Sequence, residues 1–335
     1  MDSVTHIVIG ASIGEIFAGK QLRRRALWWG MVAQSLPDID FLASFWTTPA
    51  QDLLAHRGFT HSILFAIIAA VFCALLAERV HRKHDISLKN WVLFFGVQIC
   101  IHLFLDSMNA YGTGLLEPFS HKRFSFNVLY VADPFFSIWA ALALIAVFIF
   151  RTHKNKTHWA VIALSMSGAY LLYSIANKLV IEDKVKTILS RDNIVYKRHF
   201  TTPTVLNSWL WYVVAENDSG YYMGYYSVFS KKDNIEWQYR PRNEKLLTNT
   251  QDEGDLYYLL RFSQGYYTVE HWGDTLVFND LRFGQIAGWR DSSAKFAFHY
   301  FLSQNASNDL VIQRGRMAMM NKRDITSLIE KIKGN

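Results

Sequence analysis

Apolar residues dominate six stretches in the first half of the chain, at about 4–19, 26–46, 62–78, 91–107, 134–150 and 158–180. Short links rich in charge, glycine or proline separate them. A membrane-spanning helix needs about 20 apolar residues, with a working range of about 17–25. Residues 134–150 and 158–180 meet that requirement; the first four stretches are interrupted by polar groups and leave re-entrant or interfacial placement open. Beyond residue 182 the pattern changes to short runs in which aromatic and polar residues alternate. Trp209–Val214 and Tyr221–Phe229 flank Glu216-Asn-Asp-Ser-Gly220, which reads as a hairpin. Runs at 255–263, 266–271, 275–279, 281–289, 296–302 and 308–314 read as further strands, and 323–333 as a short helix. The expected fold is an α-helical membrane domain of about 4–6 membrane helices over residues 1–182. A soluble antiparallel β-rich domain follows over 183–335. The aromatic residues of that second domain read first as β-sheet core.

Composition sharpens this division. The chain has 335 residues, enough for more than one domain, and 51% of them are hydrophobic. Its mean hydropathy of +0.06 averages two unlike halves. The net charge of +7 forms no single basic stripe, so nucleic acid is not an expected partner. The basic residues instead gather in alternate links. Lys20, Arg23, Arg24 and Arg25 follow the first stretch; Arg79, Arg82, Lys83 and Lys89 follow the third; Arg151, Lys154 and Lys156 follow the fifth. The other links hold Arg57, and Lys122 with Arg123. Under the positive-inside rule the first group of links is cytoplasmic, which places the N-terminus and the 183–335 domain outside the cytoplasm. The first 19 residues carry Asp2, His6 and Glu15 without a basic leader, so no cleavable signal peptide is expected. Cys73 and Cys100 lie in apolar stretches without metal-type spacing and read as packing residues.

Placed on that topology, the polar residues gather on one side. His6, Asp38, Asp40, His56, His61, His102 and Asp106 all map to the outer ends of their segments or to the outer links, as do His121 and Asp133. Ionisable groups near lipid cost about 2.5–3.5 kcal/mol each at a helix centre and persist where they pair or bind. Imidazole with carboxylate suits zinc or another first-row metal. His102-Leu-Phe-Leu-Asp106 puts two such groups on one helix face. In Leu36-Pro37-Asp38-Ile39-Asp40, a continuous helix would turn the carboxylates apart, but Pro37 disfavours helix and an unwound stretch brings them to one cavity. The alternative is a proline-capped turn. In His56-Arg57-Gly58-Phe59-Thr60-His61-Ser62, a loop enters a helix, with Thr60 as a candidate cap. Arg57 suits a phosphate or the plain surface. His81 and His84 fall on the opposite side among basic residues and read as solvated. Tyr111-Gly112-Thr113-Gly114 reads as a turn.

The order of these motifs, Thr5-His6, Leu-Pro-Asp38-Ile-Asp40, His56-Arg-Gly-x-Thr-His61-Ser, His102-xxx-Asp106, Tyr-Gly-Thr-Gly-Leu-Leu-x-Pro-Phe-Ser and Asp133-Pro134, resembles the YdjM-type membrane-bound metal-dependent hydrolases, also described as LexA-regulated inner-membrane hydrolases. The resemblance spans about residues 1–150 and implies a protein of a bacterial or archaeal cytoplasmic membrane. A more distant likeness is to zinc-dependent phospholipase C and related single-strand nucleases, whose clusters use an early His, an Asp, a middle His and an HxxxD helix. The later HxxxH or HxxxE helix of those enzymes is missing after Asp106, as is their N-terminal tryptophan amine. One or two ions, most readily zinc, are therefore expected rather than three.

The reading that results is metal-assisted hydrolysis at the outer membrane face. His6, Asp38, His56, His61, His102 and Asp106 are the candidate ligands, with His121 and Asp133 as possible additions. Asp38 or Asp40 is the candidate catalytic base. Arg57 and Arg123 are candidates for holding an anionic substrate, and the bilayer points to a membrane lipid or lipid-linked phosphoester. Two other readings stand beside it: a non-catalytic membrane regulator or scaffold with a closed structural metal, and a transporter relaying ions or protons.

Overall fold

The computed structural model describes residues 1–81, 86–149, 156–248, 253–302 and 320–334. They divide into two compact units. The first comprises Met1–Ala43, Ala55–Phe126 and Val131–Tyr173; the second comprises Ser44–Leu54, Asn127–Tyr130 and Ser174–Asn335.

The first unit begins as a helical hairpin of α1 (Ser3–Leu22) and α2 (Arg24–Ser35), turning on Arg23 with φ of 53°. Glycines let the two backbones touch: a Cβ on Gly14 would lie 2.2 Å from the Ala26 carbonyl oxygen, and one on Gly30 would lie 2.0 Å from that of Gly10. Small residues four apart on both helices therefore form the contact, as in close-packed membrane helices. Pro37 then ends regular helix, and residues Pro37–Phe45 continue as a 3-10 helix. The second apolar stretch is thus broken where the Pro37 pattern indicated.

A second hairpin joins α4 (Ile63–Val80) to α5 (Leu88–Ser107), after the short α3 (Pro49–Ala55). The buried face of α4 carries only alanines (Ala66, Ala69, Ala70, Ala74, Ala77), which nest against Trp91, Phe94, Phe95 and Ile99 of α5. Its other face exposes Ile67, Ile68, Val71, Phe72, Leu75 and Leu76, the composition a lipid-facing surface requires. Ser62, rather than Thr60, caps α4 by accepting a hydrogen bond from the Phe65 amide. Then α6 (Pro134–Ile149) and α7 (Lys156–Arg191) complete the apolar helices. Among the described residues, three helices are long and apolar enough to cross a membrane: Ile63–Val80, Leu88–Ser107 and Thr157–Arg191. The α6 helix is apolar but shorter over its qualifying part, Pro134–Ala146.

His81, expected to be solvated, is buried: it accepts a hydrogen bond from the Trp29 indole at 2.7 Å and stacks on Trp91. The aromatic groove between the hairpins outcompetes solvent for it. His84, Arg82, Arg151 and Lys154 lie outside the described residues. Cys100 is exposed on α5 and Cys73 half-buried on α4, both free thiols.

In the second unit, β1 (Arg198–Pro203), β2 (Leu210–Glu216), β3 (Gly220–Ser227) and β4 (Gln238–Pro241) form an antiparallel sheet in that order. The Glu216–Gly220 hairpin lies where its turn residues indicated. Three further strands, β5 (Tyr267–Trp272), β6 (Thr275–Asp280) and β7 (His299–Phe301), form a second antiparallel sheet. Every residue of β2 is buried because both of its faces are covered. Trp211, Val213 and Ala215 pack on Ile181, Val185, Ile188 and Leu189 of α7, while Tyr212 and Val214 face Tyr266, Leu281 and Phe296.

Two expected strands are something else. Residues 255–263 belong to α8 (Glu253–Phe262), whose buried Leu259 and Phe262 follow helical spacing. The 281–289 run becomes a 3-10 turn (Leu281–Phe283) followed by irregular chain, started by the Asp280 carboxylate capping the Arg282 amide. The expected strand at 308–314 lies outside the described residues. The terminal helix is present as α9 (Lys322–Ile332), with a capping box between Asn321 and Asp324.

Candidate metal centre

Because both hairpins of the first unit are antiparallel, the start of α1, the end of α2, the entry to α4 and the end of α5 come together. Four side chains from these positions converge: Asp38 from the 3-10 helix, His61 from the turn before α4, and His102 and Asp106 from one face of α5. The Nε2 atoms of His61 and His102 are 3.1 Å apart. His61 Nε2 lies 3.6 Å from Asp38 Oδ1 and 3.2 Å from Asp106 Oδ2, and His102 Nε2 lies 3.5 Å from each of the same two oxygens.

These separations fit a bound cation. Ligand bonds of about 2.0–2.1 Å in a tetrahedron put neighbouring donor atoms roughly 3.3 Å apart. The tautomers fit as well. His102 Nδ1 donates to the Gln34 carbonyl at 2.5 Å, which leaves Nε2 as a lone pair. His61 Nδ1 lies 3.3 Å from Asp40 Oδ2, so its Nε2 is also the nitrogen left for the cluster. Two imidazole lone pairs and two carboxylate oxygens then point at one place, and only a cation makes that favourable. Without a metal, a proton serves: burial works against the His61 imidazolium, but hydrogen bonds to Asp106, Asp38 and Asp40 outweigh it and raise His61 to about 10.

The remaining candidates support or surround this centre. Asp38 and Asp40 reach opposite nitrogens of the same ring. Their positions two residues apart, which would conflict in an α-helix, suit a clamp on His61. Asp40 also accepts from the Arg57 amide at 2.7 Å and approaches His56 Nδ1 at 3.3 Å. His6 stacks on His102, with ring centroids 3.8 Å apart, and its Nε2 meets the outer oxygen of Asp106 at 3.1 Å. The Met1 nitrogen meets that same oxygen. Arg57, expected to receive substrate, is 2% exposed and turned inward. Its Nε lies 3.0 Å from Asp106 Oδ2, one guanidinium nitrogen donates to Asn109 at 2.8 Å, and another donates to the Met1 carbonyl. It balances the carboxylate charge of the cluster.

Arg123 donates to the carbonyls of His56 and Gly112 and so braces the loop. His121 pairs with Glu117 on the exposed surface, away from the four converging groups. Asp133 holds the start of α6, accepting from the Phe135 amide and the Tyr170 hydroxyl; burial pushes its carboxyl up to about 6. Met1, Gln34 and Asn109 escaped notice in the sequence because each acts through a backbone atom or a tertiary contact. Gln34 carried one usable signal, a polar residue four positions before Asp38 directly after the apolar run Ala26–Ala33.

A cavity of about 400 Å³ opens beside the centre, lined by Asp38, Asp40, His56, Ser35, Ile7, Ile39 and Phe41 among others. Asp38 is the member of the converging quartet that lines it, with its side chain 24% exposed against 0–1% for the other three. Ile39 and Phe41 are exposed at its edge.

The chain is 33% identical over 123 residues to inner membrane protein YbcI of Escherichia coli K12, which covers 36% of this chain and 69% of YbcI. It is 26% identical over 213 residues to the Bacillus subtilis protein YfhP, which covers 59% of this chain and 63% of YfhP, less than two thirds of that relative. No solved structure matches. The model of the YdjM inner membrane protein family matches residues 1–180, which contain all four converging groups and make up more than half of the chain. By that match the chain belongs to the YdjM inner membrane protein family.

Proposed function

We propose that this protein is a membrane-bound metal-dependent hydrolase acting at the outer face of the cytoplasmic membrane on a phosphoester of a lipid or lipid-linked substrate. The observation that carries the reading is the cavity beside the buried quartet, which Asp38 alone of the four lines and which Ile39 and Phe41 border. Asp38, His61, His102 and Asp106 would hold one divalent ion, zinc being the best match to the donor set. Such an ion supplies Lewis acidity, polarising a phosphoryl oxygen and acidifying water.

The chain's own groups have distinct tasks in this reading. Asp40 and the Gln34 carbonyl orient the two rings, and Arg57 offsets the Asp106 charge. His56 lines the cavity, is 45% exposed and has its Nδ1 beside Asp40, so its Nε2 is the nitrogen left to take or give a proton. This moves the acid–base role from Asp38 or Asp40 to His56. Ile7, Ile39 and Phe41 would seat the apolar part of a substrate and exclude water.

The orientation belongs to the same proposal. The alternating basic links support a metal centre and a second unit outside the cytoplasm, with α1, α2 and α6 joining the three longer apolar spans in a membrane domain of up to six helices. Cysteines at Arg24 and His121 should label from opposite sides of the membrane; labelling from one side overturns the topology.

The activity test is turnover of a phosphodiester lipid by purified protein, with and without added zinc. Metal-dependent turnover is expected, abolished by His102→Ala and reduced at least tenfold in kcat by His56→Gln with metal retained. A second reading, a structural metal in a non-catalytic scaffold, draws on the closeness of the four donors to a filled tetrahedron. Full metal loading without turnover across phosphodiester lipids would favour that reading.

A further inference from the structure

The second unit contains a cleft that the proposed hydrolysis does not use. It has a volume of about 440 Å³ and lies between β3, β4, the loop joining them, Trp289 and the end of α9. A volume of this size is within the usual range for small-molecule sites.

Its lining combines three chemistries. The first is unbalanced positive charge. Lys231, Lys232 and Lys331 line the cleft, and Glu236 is the one acid among its described lining residues. Lys331 approaches Glu236 only at 3.9 Å, and Glu236 is itself 86% exposed. Neither Lys231 nor Lys232 has an ion-pair partner among the described residues, since nearby Asp233 is held by Lys184 and the Tyr226 hydroxyl. The second is an aromatic wall held in place. The Trp289 indole donates to Ser327 of α9 at 3.1 Å, and Tyr225 meets its ring edge-on with centroids 6.2 Å apart. The third is an unmet acceptor. Gln238 Oε1 is buried and accepts no hydrogen bond among the described residues. A buried acceptor of this kind calls for a donor; since Gln238 lines the cleft, turning its amide outward would bring that oxygen to an incoming hydroxyl.

Cations, a fixed aromatic face and a waiting acceptor together select a ligand that is anionic and hydroxylated. A simple anion would use the lysines and ignore the tryptophan and the glutamine. A neutral sugar would use the ring and the amide and leave the charge unbalanced. An extended apolar chain would find no apolar floor, because serines, lysines, Asn234 and Gln238 make up much of the lining. We propose that this cleft is a binding site for an anionic carbohydrate, a sugar bearing a phosphate or carboxylate, with the anion on Lys231 and Lys232, the sugar ring against Trp289 and a hydroxyl donating to Gln238.

The site is separable from the metal centre by experiment. Full-length protein in detergent, stripped of metal by chelation so that the quartet cannot take up phosphate, is titrated calorimetrically with glucose 6-phosphate, glucuronate, glucose and inorganic phosphate. Glucose 6-phosphate or glucuronate should bind at least tenfold more tightly than glucose or inorganic phosphate. The double variant Lys231→Ala/Lys232→Ala should weaken that binding by about tenfold. Gln238→Leu, which keeps the side-chain volume, should weaken the sugar-bearing anions and leave inorganic phosphate unchanged. Trp289→Leu should do the same, and Gln238→Leu decides the matter should that variant fail to fold. Equal affinity for phosphate and glucose 6-phosphate, or no effect of the lysine changes, overturns the proposal. Binding to phosphatidylglycerol vesicles without binding to either soluble sugar anion also overturns it, since the surface would then recognise lipid.

Discussion

Replacing Gly30 with alanine tests whether the first hairpin positions the metal centre. The added methyl would sit 2.0 Å from the Gly10 oxygen, 2.8 Å from the Gly10 carbonyl carbon and 3.1 Å from the Gly14 Cα. All three are backbone atoms, so no flexible side chain can yield. Restoring ordinary contact requires the helices to part by roughly 1 Å, and overpacking of this kind costs about 1–3 kcal/mol. The displacement is carried along α2 into Gln34, whose carbonyl fixes His102 at 2.5 Å, and beyond it to Asp38. Donor separations now at 3.1–3.6 Å would open past what one ion spans. Loss of such orienting contacts lowers metal affinity about 10–100-fold. The assay is chelator competition with zinc and cobalt in detergent, alongside thermal unfolding. The control is Gly168→Ala, because a Cβ there meets nothing within 4 Å. Gly30→Ala should weaken metal binding and lower the Tm, and Gly168→Ala should do neither. An affinity and Tm for Gly30→Ala equal to those of Gly168→Ala would refute the reasoning.

Three further outcomes follow from the same geometry. His102→Ala and Asp106→Ala should each abolish stoichiometric metal in purified protein, and unchanged content by elemental analysis would dissolve the centre. Asp40→Asn should retain one metal per chain but bind it about 10–100-fold more weakly, because it removes the charge beside His61 Nδ1; an unchanged Kd would leave Asp40 with no orienting role. With His61 raised to about 10, the metal-free site carries a proton at pH 7 that an ion must displace. Affinity should therefore rise with pH by about tenfold per unit between pH 7 and 9, with about one proton released per ion; a flat profile from calorimetry in buffers of different ionisation enthalpy would contradict this.

Much of the centre was legible because its chemistry is rare in apolar sequence. His102 and Asp106 share a helix face by spacing alone, and Pro37 announces the break that frees Asp38 from α-helical geometry. By charge alone, the alternating basic links assign the candidates to one expected side of the membrane. The division of labour among them was not legible, because it depends on which atom of each group faces inward. Asp38 and Asp40 look equivalent in the chain, yet one meets Nε2 of His61 and the other Nδ1. Arg57 reads as a substrate-holding or surface cation until its burial against Asp106 is seen. In the second unit, aromatic residues favoured strand at 255–263, but burial of Leu259 and Phe262 on one helical face decided otherwise. The Gly10 and Gly14 spacing was present in the sequence and marks the hairpin contact that sets the whole arrangement.

The four converging groups are spread along the chain in a way that bears on how the protein is made. Asp38 is synthesised with the first hairpin, His61 at the threshold of the second, and His102 and Asp106 only at its end. A nascent chain in the membrane therefore has no complete candidate site until its fifth helix has been delivered, and early fragments would lack the ligands to hold an ion. An ion held there would fasten two hairpins to one another, adding about 2.7 kcal/mol when free metal stands at a hundred times its Kd. Removing the metal would then leave full-length chains without that fastening and less stable by the same amount.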